Sequence, residues 1–194
     1  TRNTVRLRAG DFSTLTEALN YAAQGQTGYN FYDGRGKLSA VLPYSKLRDE
    51  AQTLAQRLSG LGLERGARMA LVADTHPDFV RFFFACQYAG LIPVPLPASI
   101  HMGGRKTYVD QLHRLLISCR ANVAMATKDF FPFLSEAAEG LDLLFCGTPQ
   151  DYDELAEASI PLSPLGPKEL AYIQYTSGST KFPRGVMITQ KQGI

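Results

Sequence analysis

Between Tyr175 and Gly185 the sequence reads YTSGSTKFPRG, which sets Thr176, Ser177, Ser179 and Thr180, two glycines, a proline and two cations on one short run after an apolar segment. Gly178 and Gly185 can take backbone conformations that turn consecutive N–H groups toward one point, and a concavity of such donors binds anions. The hydroxyls add donors, and Lys181 and Arg184 add positive charge. That combination suits a polyphosphate. None of these groups is a base or a nucleophile, so the chemistry is binding and charge neutralisation. The spacing is neither G-x-x-x-x-G-K-S/T nor a G-x-G-x-x-G following a strand, so a different kind of phosphate loop is required. By composition alone the run also reads as a solvated turn, because Ser, Thr and Gly dominate turns.

The flanking runs LAYIQYT and GVMIT read as strands, with the loop between them. Upstream, Leu47, Ala51, Leu54, Ala55, Leu58 and Leu61 recur at helical spacing, with Ser45 as N-cap and Gly60 or Gly62 as the stop. RMALVAD reads as a buried strand. THPDFVRFFFACQYAG is a helix with Pro77 at its first position and Gly90 at its end, apolar nearly all round and so buried. LIPVPLP is a strand whose prolines confine it to an edge or an irregular end. A helix over Thr107 to Cys119, the strand NVAMAT, a weaker helix DFFPFLSEAAEG interrupted by Pro132, the strand LDLLFCG and a short acidic helix PQDYDELAEA follow. YNFYDGRGKLSAVLPY predicts a hairpin turning at Asp33-Gly34 or Arg35-Gly36. Strands alternating with helices predict an α/β fold with a mainly parallel sheet. Residues 1–160 form its body; the turn-rich IPLSPLGPKE opens a segment, 161–194, of linker and loop-bearing strands.

The chain has 194 residues, 45% of them hydrophobic, enough for a sizeable core. A net charge of +2 with scattered Lys and Arg argues against nucleic acid or a membrane surface as the main partner. No run is long and apolar enough for a membrane span, and TRNTVRLRAG lacks the apolar core of a secretion signal, so a cytoplasmic location is expected. Cys86, Cys119 and Cys146 sit among apolar residues as reduced thiols. His76, His101 and His113 are too dispersed for a zinc site. Phe82, Phe83, Phe84 and Tyr88 read as core rather than as a channel lining, HMGGRK as a flexible loop, and DYDELAE as a solvated helix face. Tyr108 and His113 could reach a site, but no spacing requires it.

YTSGSTKFPRGV resembles the signature loop of the adenylate-forming superfamily, commonly written Y/F-T-S-G-S/T-T-G-x-P-K-G-V. That superfamily includes acyl-CoA synthetases, fatty acyl-AMP ligases, luciferases and amino-acid adenylation domains. The run from YSKLRDEAQ to AGLIPVPL is similar to the helix, strand, helix, strand series that opens their large N-terminal domain, so the resemblance covers nearly the whole chain. Lys181 stands where the family usually has Gly, and Arg184 where it usually has Lys. Arg184 keeps the cation but presents a planar fork. FFFACQYAGLIPVPLP and YVDQLHRLLISCRANVAMAT look closest to the fatty acyl-AMP ligases.

The resemblance implies ATP and Mg²⁺ as cofactors and a carboxylate, such as a fatty acid, as substrate. Carboxylate attack on the α-phosphorus would release pyrophosphate, and the acyl group would pass to an acyl carrier protein or to coenzyme A. It implies that Thr176, Ser177, Gly178, Ser179, Thr180, Lys181, Arg184 and Gly185 line the phosphates, with Thr180 near Mg²⁺. The family's ribose-binding aspartate, magnesium-associated glutamate, acyl pocket and catalytic lysine follow this loop, so no catalytic residue is expected before Ile194. These 194 residues, as the first part of such an enzyme, are expected to be inactive alone and to associate through an exposed apolar edge. A non-catalytic nucleotide-binding module and a structural α/β interaction domain are the alternatives.

Overall fold

The computed structural model describes residues 12–33, 35–100, 103–176 and 183–193. Its centre is a four-stranded parallel sheet of β3 (Arg68–Val72), β4 (Ile92–Leu96), β5 (Ala121–Met125) and β6 (Phe145–Gly147), in the order β4-β3-β5-β6. Alternation along the strands divides the core. Met69, Leu71, Val123 and Met125 face one apolar cluster, and Ala70, Val72, Ala124 and Ala126 face the other. The first face is covered by α2 (Tyr44–Ser59), α3 (Pro77–Ala89) and α6 (Pro149–Asp153), the second by α4 (Gly104–Ser118) and α5 (Phe131–Ala137). The expected α/β fold with a parallel sheet is therefore present, as three layers.

Two antiparallel hairpins flank this body. After α1 (Leu15–Ala22), β1 (Gly28–Tyr32) pairs with β2 (Leu38–Pro43). In the turn, Asp33 Oδ1 accepts from the Arg35 and Lys37 N–H groups at 2.8 and 3.0 Å, and Gly36 takes φ +79°. The Arg35-Gly36 choice thus corresponds to the turn; Gly34 lies outside the described residues. Near the other end of the chain, β7 (Leu170–Thr176) pairs with β8 (Arg184–Thr189), which runs into the short α7 (Gln190–Gly193).

Most helices and strands stand where periodicity puts them, and the departures are local. Ser45 is not the N-cap of α2. The helix starts straight from β2 at Tyr44, whose N–H is taken by the Thr27 carbonyl, and Pro43 stands at the cap with no side-chain bond. Of the two stops, Gly60 is the C-cap. Pro132 opens α5 rather than interrupting it, since a first-turn proline has no intrahelical partner to lose. The LDLLFCG strand shrinks to Phe145–Gly147, because a turn at the end of α5, with Gly140 at φ +78°, takes up Leu141. The acidic helix stops at Asp153: beyond it Arg57 captures the Leu155 carbonyl and the Gln56 carbonyl takes the Ala158 N–H. Its Tyr152 is fully buried, donating to the Ala124 carbonyl at 2.6 Å, so the DYDELAE face is only partly solvated. In HMGGRK, Gly104, Arg105 and Lys106 form the first turn of α4, with Gly103 at φ +94°; His101 and Met102 lie outside the described residues.

The linker between body and second hairpin is fastened along its length. Gln56 Nε2 donates to the Ile160 carbonyl at 2.6 Å, and Arg65 donates to the Ser163 and Pro164 carbonyls at 2.8 and 2.7 Å. Arg65 also holds both carboxylate oxygens of Glu169, at 2.9 and 2.5 Å, just before β7. That fork keeps the Glu169 carboxyl below its ordinary range. Gly90 ends α3 at φ +76°, and a Cβ there would lie 2.9 Å from Arg65 Nη1 and 3.3 Å from the Ser163 carbonyl.

Gly90→Ala is therefore expected to lower stability by roughly 1–2 kcal/mol, the usual cost of a left-handed alanine, read as a lower urea midpoint; an unchanged midpoint would contradict the clamp geometry. Glu169 has a depressed folded pKa, so its contribution is present above the unfolded carboxylate value of 4.5 and lost as pH falls through the folded value. Glu169→Gln should accordingly be less stable than wild type near neutrality, with the difference closing in acid. A difference independent of pH would refute this.

Candidate functional site: the loop-bearing hairpin

The antiparallel register of β7 and β8 brings the two ends of the YTSGSTKFPRG run together. Thr176 closes β7, Arg184 opens β8, and the two are cross-strand partners, with Thr176 Oγ1 facing the Arg184 carbonyl at 3.4 Å. Both side chains are exposed at the mouth of the hairpin. Among the described residues no carboxylate pairs with Arg184. Ser177, Gly178, Ser179, Thr180 and Lys181 lie outside the described residues.

Gly185 has its own place in this arrangement. It stands in β8 opposite Tyr175 and is not among the glycines with positive φ. A Cβ on Gly185 would sit 3.2 Å from the Tyr175 ring and 3.4 Å from Ile173 Cγ2. The missing side chain makes room for the aromatic ring across the ladder. The ring in turn places the Tyr175 hydroxyl 3.0 Å from Ser118 Oγ at the end of α4, and burial pushes the phenol above its ordinary pKa, so it stays a donor.

What attaches the hairpin to the body is unusual in kind. β7 lies against β4, yet among the described residues its one strand partner is β8. The Ile92 N–H bonds toward β3 through the Ala67 carbonyl, so alternation turns Pro93 and Pro95 toward the outer edge, where neither has an N–H to give. Side chains take over. Gln87 of α3, fully buried, donates from Nε2 to the Ala171 carbonyl at 2.6 Å. Its Oε1 accepts from Nε2 of Gln190, also fully buried, at 2.9 Å, and Gln190 Oε1 accepts the Leu15 N–H of α1 at 2.9 Å. Tyr172 adds an edge contact to Phe83, ring centroids 5.5 Å apart, and Ile173 enters the α4-side core.

Neither Gln87, Gln190 nor Ser118 stands out in the sequence. The available signal is one amide inside FFFACQYAG, an otherwise apolar stretch of a buried helix. The other candidates serve the body. Phe82, Phe84 and Tyr88 are core residues, with Phe83 partly buried beside them. Tyr108 donates to the Pro97 carbonyl, His113 Nδ1 meets the Ala137 carbonyl at 2.7 Å, and Arg105 pairs with Glu136 at 2.8 Å. The cysteines are free thiols; burial pushes Cys119 and Cys146 up to about 11 and Cys86 higher still, which leaves no thiolate nucleophile. Among the described residues no His, Cys, Asp or Glu group could hold a metal, and no helix is long and apolar enough to cross a membrane.

Comparison with known proteins agrees with this architecture. A protein of Caulobacter vibrioides, provisionally described as an acyl-CoA synthetase, is 44% identical over 185 residues, covering 95% of this chain and 32% of its own. The medium-chain-fatty-acid–[acyl-carrier-protein] ligase JamA of Moorena producens is 28% identical over 195 residues, with 95% and 32% covered. A chain from structural and functional studies of fatty acyl-adenylate ligases of E. coli and L. pneumophila superposes with a TM-score of 0.88 at 41% identity, covering 95% of this chain and 33% of that one. The chain thus spans about a third of the length of these relatives. The family model for AMP-binding enzymes matches residues 22–194, and the chain belongs to that family.

Proposed function

We propose that the protein containing this chain is an ATP-dependent ligase that activates a fatty acid as its acyl-adenylate. A carboxylate oxygen attacks the α-phosphorus of ATP, the bond to pyrophosphate breaks, and acyl-AMP remains for transfer to a thiol of an acyl carrier protein. The observation that carries the reading is the loop itself: its order of residues, mounted on a hairpin that pairs Thr176 with an exposed Arg184. In this reading the whole chain is the first part of the AMP-binding domain, 1–160 as body and 161–194 as linker and phosphate-loop strands. Thr176, Ser177, Gly178, Ser179, Thr180, Lys181, Arg184 and Gly185 border the β- and γ-phosphates, with Thr180 beside Mg²⁺. The chain's task is positioning and charge neutralisation, which supply most of the catalysis in transfers of this type. The catalytic groups belong to other parts of the protein, and the proposed setting is cytoplasmic, consistent with three free thiols.

The carrier-protein acceptor is supported by the 41% identity to a chain from studies of fatty acyl-adenylate ligases, and by JamA. Coenzyme A is the second reading, favoured by the 44% identical relative described as an acyl-CoA synthetase. Mass spectrometry of the products made by the full-length protein from a medium-chain fatty acid, ATP, Mg²⁺ and coenzyme A separates them. Accumulation of acyl-AMP without acyl-CoA is the expected result; acyl-CoA would select the second reading, and neither product would refute adenylation.

Charge-assisted hydrogen bonds contribute about 1.5–3 kcal/mol each, so Arg184→Ala or Thr180→Ala should weaken Mg-ATP binding on the order of tenfold to a hundredfold, read by titration calorimetry. Unchanged affinity in both variants would remove the loop from the phosphate site.

A further inference from the structure

Resting on the adenylation reading above, we infer that Gln87 and Gln190 are positioning residues for ATP: their buried amide pair sets the root of the hairpin that carries the phosphate loop. One side chain, Gln87, holds both sides of that root. Its Nε2 grips β7 at the Ala171 carbonyl, 2.6 Å away, and its Oε1 receives the amide of Gln190, the residue directly after β8, at 2.9 Å. The chain is continued on either side. The Leu165 N–H donates to the Gln87 carbonyl at 2.9 Å, and Gln190 Oε1 takes the first N–H of α1. Each amide nitrogen and oxygen of the pair thus has at least one partner, and among the described residues no buried side-chain polar atom is left unpartnered.

The geometry makes this pair consequential for the loop rather than for the body. The proline edge of β4 supplies no ladder to β7, so the hairpin's place is set by side chains. Thr176 lies five residues beyond Ala171, about 17 Å along a strand at roughly 3.4 Å per residue. With Tyr175 tied to Ser118 beside the tip, a shift at the root turns the hairpin about that second tether and reorients its phosphate-binding end, and misplacement of about 1 Å is enough to cost a large factor in a positioned reaction. The four strands of the parallel sheet pair with one another and not with β7, although Ile173 packs into the α4-side cluster.

Gln87→Glu preserves shape and the acceptor for Gln190 but, as a carboxylate, cannot donate to the Ala171 carbonyl; a protonated carboxyl can. In the full-length protein it should raise KM for ATP on the order of tenfold at pH 8, leave KM for the fatty acid unchanged, and recover toward wild type as pH is lowered. Gln190→Glu, which loses its donor to Gln87 while keeping its acceptor for Leu15, provides the same test should the first variant fail to fold. The double variant Gln87→Leu/Gln190→Leu should raise KM for ATP by less than the product of the effects of Gln87→Leu and Gln190→Leu, since the two share one hydrogen bond. Folded variants with wild-type KM for ATP, or with both substrates affected alike at every pH, would overturn the inference while leaving adenylation intact. A wild-type protein that forms no acyl-AMP would instead overturn the functional reading on which it rests.

Discussion

Two prolines at one sheet edge determine how the loop is carried. Pro93 and Pro95 of β4 point outward with no N–H, so the parallel sheet ends there although β7 lies alongside. Had the edge been able to pair, the loop strand would have been one more rung of the body. Instead the hairpin is a separate two-stranded sheet, fixed by a buried pair of glutamines, the Arg65–Glu169 fork, an aromatic contact at Tyr172 and the Tyr175–Ser118 hydrogen bond.

That mode of attachment suits a phosphate loop. A ladder specifies register along a whole strand, whereas a few side-chain contacts, at the root and again at Tyr175, fix where a hairpin stands while its loop end faces outward. Arg184 and Thr176 occupy that far end, and the groups that hold the hairpin begin at Ala171 and Gln190. The separation places affinity for phosphate and attachment to the fold on different residues. Gly185 serves the attachment as well, because a Cβ there would lie 3.2 Å from the Tyr175 ring, which crosses the ladder to reach α4.

Much of the fold was legible because its signals are periodic and local. The stripe from Leu47 to Leu58, the apolar runs of β3 and β5, Pro77 and Gly90 bounding α3, and the prolines of an edge strand each state one physical requirement. What failed to show were contests between a local signal and a distant partner. Ser45 lost the cap to a chain already committed at Pro43, and the acidic helix lost its second half to Gln56 and Arg57, about a hundred residues earlier. The loop was legible as an ordered motif. The amides that position it were not, since Gln87 and Gln190 meet 103 residues apart and neither alone departs from what a helix tolerates.

The central claim is a hairpin pinned at its root and responsive to nucleotide at its tip. Amide hydrogen exchange of the full-length protein, with and without Mg-ATP, tests it most directly. Slow exchange in both states at the amides of the β7–β8 ladder near its root, with protection gained on nucleotide addition across residues 177–185, is the predicted result. Fast exchange along the entire hairpin, or no change at its tip when Mg-ATP is added, would contradict it.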